Sequence, residues 1–280
     1  DYYAMDSSYD YPADVTLVTC LLDLERDDRT FEDHYLKGLD ELLKLRNPIV
    51  VYAEEKYHAH IIKRRKELSI ATSDNKVKCQ PLTLSDIHGL MHYDKIQALI
   101  NDPERQNQAE WMKTSVICNQ NYIPLTLLKT FMLYKTSTDN PFNSKRFYWI
   151  DSGISNSFSI NEPLTNFDFL KLPKDNKLLL SSFPYHSYTE IHGYNINKMI
   201  EYVGRNPEYV CRASIFGGCL DAIRAFFISY IQVLLDSVNN GAIGAEESIF
   251  TIVEMLYPDL INRYVMPNGD IKNLLETIRK

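Results

Sequence analysis

The run Val15–Leu22 (VTLVTCLL) is continuously apolar and rich in β-branched residues, the pattern of a strand covered on both faces. Ile49–Ala53 (IVVYA) and Val77–Leu82 are further short strand candidates, and each is separated from the last by a stretch of helical character. Between the first two, Thr30 is placed to cap a helix with Asp33 as its acidic partner. Phe31, Tyr35, Leu39, Leu42 and Leu43 then recur at helical spacing until Asn47-Pro48 stops them. Between the second and third, Glu55–Leu68 reads as a charged surface helix. Parallel strands cannot be joined by tight hairpins, so this alternation imposes crossover connections and a mostly parallel sheet flanked by helices.

The same alternation continues toward the C-terminus. Ser85–Lys135 is helical, broken near Asn101-Asp102-Pro103 and at Pro124, because proline ends or restarts a helix. Phe147–Ile150 (FYWI) reads as a strand running straight into Asp151-Ser152-Gly153, with Trp149 in the core, and Leu178–Phe183 as another strand after a loop-rich stretch over 156–176. Gly217-Gly218 is expected to open a long apolar helix to about Val238. A shorter helix spans Glu246–Leu256, closed by Tyr257-Pro258, and Ile261–Met266 is a late strand. No internal repeat interrupts this order. The expected organisation is a loose Tyr/Asp/Ser-rich tail over 1–14 and a single α/β domain over 15–280.

Composition narrows the class of partner. A net charge of −7 opposes sequence-blind attraction to a polyanion, which argues against nucleic acid. The five cysteines are scattered among apolar neighbours, as expected of reduced thiols in a reducing compartment. The longest apolar run, Ala222–Leu235, is broken by Arg224 and Gln232 and is too short for a membrane span. Nothing near Asp1 reads as a signal peptide, and the expected location is cytoplasmic, or at the cytoplasmic face of a membrane.

In open α/β sheets ligands bind beyond the carboxyl ends of the strands. Three acidic segments project there: Asp23–Arg26 after the first strand, Asp151 after FYWI, and Glu246-Glu247 behind Gly241 and Gly244. Carboxylates without a basic neighbour in sequence suit Mg²⁺ or Mn²⁺. Glu246-Glu247 equally fits an acidic first turn favoured by the helix dipole. Adjacent helical residues diverge by about 100°, so the two glutamates cannot both face one substrate atom.

The block Asn119–Ile154 carries a Tyr-x-Pro-Leu segment, a helical lysine, an Asn-Pro-Phe turn and a Trp-Ile-Asp-Ser-Gly strand end, and it resembles the HtrL/YibB family of bacterial glycosyltransferase-like proteins. Val18-Thr19 through Asp23-Leu24-Glu25-Arg26, Phe216-Gly217-Gly218, Glu246–Phe250 and Tyr257–Leu260 agree with it, so the resemblance spans Val15 to Tyr264. It implies a GT-A-like fold with a nucleotide-binding half over 15–154 and an acceptor half over 155–280. The activity it implies is that of a hexosyl- or pentosyltransferase moving a sugar from a nucleotide-sugar donor, a UDP-sugar, to a glycan or glycolipid acceptor. In that class an Asp-x-Asp segment holds Mn²⁺ or Mg²⁺. Asp151 matches the first acid as metal ligand, whereas Gly153 stands in place of the second, so Asp23, a Glu or a His from the later loops, with His186 and His192 as candidates, would have to complete the site.

On that resemblance the donor-binding set is Thr19, Asp23, Arg26, Lys129, Asp151, Ser152, Gly153, Gly217 and Gly218, with Arg26 and Lys129 on the phosphates and the two glycines offering N–H groups to the sugar. Glu247 is the expected general base and Glu246 the second choice. The Tyr-rich segment Phe183–Tyr194 could stack on an acceptor ring. Two competing readings are an inactive glycan- or protein-binding module, suggested by Gly153, and a glycosyltransferase acting on nucleic-acid bases, which the acidic charge disfavours.

Overall fold

A computed structural model describes residues 14–25, 30–68, 76–114, 120–156, 160–186 and 189–280. The expected tail therefore lies outside the described residues except for Asp14. Strands occur at Val15–Leu21 (β1), Ile49–Ala53 (β2), Val77–Pro81 (β3), Arg146–Ile150 (β4), Leu178–Pro184 (β5), Glu190–Ile191 (β6), Tyr194–Asn195 (β7), Tyr209–Cys219 (β8) and Ile261–Val265 (β9). Seven of them form one sheet in the order β3-β2-β1-β4-β8-β5-β9, while β6 and β7 pair as a separate hairpin. Only β8 runs against the others.

The first half follows its sequence pattern closely. Thr30 caps the helical segment after β1, accepting from the Asp33 N–H at 3.2 Å. That segment continues into α1 (Lys37–Leu43), and α2 (Glu55–Leu68) connects β2 to β3. One residue of α2 departs from the surface pattern. Arg65 is fully buried and donates to the carbonyls of Leu43, Leu45 and Asn47, closing the C-terminal end of α1. Burial without a carboxylate partner lowers its pKa to about 10.

Alternate residues of the strands feed two apolar layers, as continuous apolar runs require. Val18, Val50, Phe147, Trp149, Leu180 and Phe216 face one layer; Leu17, Leu21, Val51, Tyr148, Ile150, Leu179 and Ile215 face the other. The first layer is closed by α3 (Lys129–Asp139), α4 (Leu220–Asn239) and α5 (Glu246–Leu256). Phe250 on α5 is its hub, meeting Phe216, Phe226 and Tyr230 edge-on at ring-centroid distances of 4.9, 5.0 and 5.6 Å.

The main correction to the sequence reading is β8. Gly217 and Gly218 do not open a helix; they lie near the end of an eleven-residue strand, and α4 begins at Leu220. Because β8 is antiparallel to β4, Gly218 pairs with Phe147 and Gly217 with Tyr148. Both glycines therefore sit toward the start of β4, away from Asp151, and offer nothing to a ligand at the carboxyl edge. Their physical role is close packing. A Cβ on Gly217, whose φ is +152°, would lie 2.1 Å from the Phe147 carbonyl oxygen and 2.7 Å from the Tyr148 Cα.

That contact is between backbones and cannot be relieved by a rotamer change. Gly217→Ala is expected to cost about 3 kcal/mol or more of unfolding free energy in urea titration, the upper range for overpacking a core. A loss below about 0.5 kcal/mol would show that β4 and β8 can separate there.

Candidate functional site

The carboxyl ends of β1 and β4 open into a cleft of about 410 Å³. Asp151 is the first residue beyond β4. Its N–H donates to the Ser214 carbonyl of β8 at 3.0 Å, and its own carbonyl accepts from Ile154 at 3.0 Å, so it is held where strand becomes turn. The turn is pinned from outside by α1, where a Cβ on Gly38 would stand 2.6 Å from the Ser152 carbonyl oxygen. Only glycine permits that approach of helix to loop.

Lys129, the first residue of α3, binds the carboxylates of two other elements. Its Nζ lies 2.8 Å from Asp151 Oδ1 and 2.7 Å from Glu246 Oε1, and 5.7 Å from the centre of the Trp149 ring. Trp149 Nε1 donates to the same Asp151 Oδ1 at 2.8 Å. Burial works against the ammonium, but the two carboxylates outweigh it and push the Lys129 pKa well above its ordinary value. Glu246 is 3% exposed, and burial raises its pKa against the attraction of Lys129. Cys20, on the cleft wall, remains a thiol because burial pushes its pKa to about 12.

Glu247 points elsewhere, as adjacent helical residues must. Its Oε1 accepts from the Ala213 N–H at 3.0 Å, and its Oε2 lies 3.0 Å from His192 Nε2 and 3.6 Å from Arg212 Nη1. An irregularity in β8 makes the first contact possible. Pairing with β5 jumps from Leu180–Phe216 to Ser181–Arg212, leaving Ala213–Ile215 out of that ladder. Burial alone would raise the Glu247 pKa, but His192, Arg212, the Ala213 N–H and Lys129 together bring it below the ordinary value. A carboxylate stabilised in this way is a weak proton acceptor, which counts against Glu247 as general base.

His192 and Gly193 form the two-residue turn between β6 and β7, both with positive φ, +47° and +87°. This is the arrangement that suits a tight hairpin. The Ala245 N–H donates to the His192 carbonyl at 2.9 Å, fastening the turn to the start of α5. Gly244 passes so close that a Cβ would stand 2.8 Å from both the His192 carbonyl oxygen and the Tyr194 nitrogen.

Of the residues expected from sequence, the cleft brings together Lys129, Asp151, Ser152, Gly153, Glu246 and Glu247. Thr19 is fully buried within β1, Asp23 accepts from the Glu25 N–H in a local turn, and neither lines the cleft. Arg26 lies outside the described residues. His192 reaches the cleft wall, whereas His186 is exposed and away from it. Sequence reasoning missed His34 and Arg212. A Cβ on Gly153 would lie 3.0 Å from His34 Nε2, so the imidazole crowds the place where the second acid of an Asp-x-Asp segment would project. Arg212 lies in a strand, β8, whose sequence signal is masked by the two glycines near its end. The strand's β-prone composition, with apolar Cys211, Ala213 and Ile215 alternating with Arg212 and Ser214, was the available signal.

The acids that have no basic neighbour in sequence acquire basic partners in space, since Lys129, Arg212 and His192 arrive from distant segments. Asp151 Oδ1 is taken by Trp149 and Lys129, Glu246 by Lys129, and Glu247 by His192, Arg212 and Ala213. Among the described residues no group of three or more His, Cys, Asp or Glu side chains is arranged to hold a metal ion. As they stand, these residues do not build a divalent-metal cage. No helix of the described residues is long and apolar enough to cross a membrane.

The family profile described as "bacterial protein of unknown function (HtrL_YibB)" matches residues 13–276, and the chain belongs to that family. No protein of curated function matches the sequence. Among solved structures, core-mannan synthase A from Aspergillus fumigatus in its Mn/GDP form superimposes with a TM-score of 0.53 at 10% identity, over 94% of this chain and 76% of that one. The mannosyltransferase Ktr4p from S. cerevisiae gives 0.52 at 14% identity, over 90% and 68%. Its complex with GDP gives 0.53 at 10% identity, over 90% and 69%. The fold is GT-A-like.

Removing the central cation should expose the electrostatics of the site. Because the folded-state pKa of Glu246 lies above its unfolded value, its contribution to stability is complete below the unfolded pKa and is lost as pH rises through the folded one. Lys129→Met takes away the attraction that limits this rise. The variant should lose about 3 kcal/mol near pH 7, with the deficit shrinking as pH falls and Glu246 takes up a proton. Urea denaturation of both proteins across that range measures it, and a pH-independent deficit would overturn the assignment.

Proposed function

We propose that this member of the HtrL_YibB family is a glycosyltransferase that takes a nucleotide-sugar donor in the cleft around Lys129 and passes the sugar to a glycan or glycolipid. The observation that carries the reading is the buried ammonium held between Asp151 and Glu246 at the carboxyl edge of a GT-A-like sheet. Its two carboxylate contacts leave a third N–H for a donor oxygen. Arg212, also on the cleft wall, adds a guanidinium suited to phosphate. Carboxylates beside the cleft favour the positive character that develops at an anomeric carbon, while Lys129 and Arg212 receive the charge of the departing diphosphate.

The proton of the acceptor hydroxyl needs a recipient when configuration inverts. Glu247 is too well stabilised to serve, and it instead orients His192 through Nε2. Nδ1 is then the nitrogen that receives the proton. Two of the three solved structures hold GDP, one of them with Mn, so a GDP-sugar joins the UDP-sugar expected from sequence, and Mn²⁺ joins the test as an added component.

Thermal-shift titration with GDP- and UDP-sugars, with and without Mn²⁺, should raise the melting temperature through binding to the folded state alone. Asp151→Asn should then lower turnover by roughly 10²- to 10³-fold with the fold retained, as for loss of one preorganised electrostatic contact. His192→Asn should lower it by roughly 10²- to 10⁴-fold with donor affinity kept. If no nucleotide or nucleotide sugar stabilises the protein, the glycosyltransferase reading falls and the inactive binding module replaces it.

A further inference from the structure

A second cavity, of about 270 Å³, lies against the first, and His192 and Arg212 belong to the walls of both. Its remaining lining is three aromatic rings, one carboxylate and one aliphatic side chain: Trp111, Phe183, Tyr185, Glu190 and Ile191. We propose that this cavity is the subsite for the terminal pyranose ring of the acceptor glycan. The inference rests on the reading of the cleft as a nucleotide-sugar site and says where the second substrate binds.

The rings are held in place before any ligand arrives. Trp111 Nε1 donates to Glu190 Oε1 at 3.1 Å, and the Gly193 N–H donates to Glu190 Oε2 at 2.8 Å. One buried carboxylate thus orients the indole and the turn that carries His192. Phe183 and Tyr185 meet edge-on at 5.6 Å and 74°, and the Arg212 guanidinium lies 4.8 Å from the centre of the Phe183 ring. A pyranose presents an apolar C–H face and a rim of hydroxyls. Aromatic faces attract the C–H side, and Glu190, His192 and Arg212 are polar groups fit for the rim. The volume is slightly below the usual range for ligand pockets, which suits one ring.

Position supplies the stronger argument. An acceptor hydroxyl must lie between its own binding site and the donor's anomeric carbon, and His192 stands at that border. In the transfer step the hydroxyl oxygen bonds to the anomeric carbon, the carbon–phosphate oxygen bond breaks with its electron pair leaving on the nucleoside diphosphate, and the hydroxyl proton passes to His192.

The chain contains two tryptophans, and each lies in a different cavity: Trp111 in the second, Trp149 under Lys129 in the first. Fluorine NMR of the full chain labelled with 5-fluorotryptophan, assigned with Trp111→Phe, therefore reports the sites separately. Methyl glycosides of mannose, glucose, galactose and N-acetylglucosamine are one set of probes; GDP and UDP are the other. At least one glycoside should move the Trp111 line and leave Trp149 in place, while a nucleotide does the reverse. Tyr185→Ala should weaken the glycoside response roughly tenfold without changing the nucleotide response. If nucleotides move Trp149 and no glycoside moves Trp111, the subsite is overturned and the cleft reading stands. Glycoside binding without any nucleotide response leaves the sugar site and overturns the transferase. A nucleotide that moves Trp111 makes the cavity a nucleobase pocket and overturns the proposal.

Discussion

Lys129 is bound to Asp151 at 2.8 Å and to Glu246 at 2.7 Å, and these three residues come from the start of one helix, the end of a strand and the start of another helix. A lysine this little exposed is tolerated only with its charge compensated, and the more deeply buried Glu246 has the same need. Each therefore depends on the other being in place, and α3, β4 and α5 cannot shift independently without leaving a charge unpaired in the core. The indole N–H of Trp149 completes the arrangement by fixing Asp151 from within the same strand. Whatever the cleft binds, it meets side chains already oriented by these contacts.

The second half of the site depends on a departure from regular structure. Were β8 paired with β5 without interruption, Ala213 would remain within that ladder. The jump in register frees its N–H for Glu247, which in turn gathers His192 and Arg212. Irregular backbone next to a ligand site commonly re-aims a side chain in this way. The result is two carboxylates, adjacent in sequence, in opposite electrostatic states: burial dominates at Glu246, and cations with a backbone donor dominate at Glu247.

Glycines set how closely these pieces approach. Gly38 lets α1 touch the Ser152 carbonyl, Gly244 lets the loop before α5 pass under the β6–β7 turn, and Gly153 leaves room for His34. The last bears on metal chemistry. A second acid at position 153 would have to displace an imidazole, so the departure from an Asp-x-Asp pattern is built into the packing of the segment after β1 and is more than a single-site difference.

Sequence alone determined the elements whose reasons are local. Continuous β-branched runs made β1 and β2 legible because strands buried on both faces leave no charged position, Thr30 and Asn47-Pro48 bounded the helical segment between them, and Glu246–Leu256 was bounded by its acidic first turn and by Tyr257-Pro258. The same locality placed Asp151 at a strand end and Glu246 at a helix start. Tertiary structure alone decided what these residues meet. Lys129 is 22 residues from Asp151 and 117 from Glu246, as their numbering gives, and no periodicity records a contact across such spans. The strand over Tyr209–Cys219 was hidden for a related reason: its two glycines read locally as helix entry, while the need for them comes from the backbone of β4 lying against Gly217. The pairing of buried charges and the close approach of backbones arise between segments, so they become visible only when the sheet has assembled them.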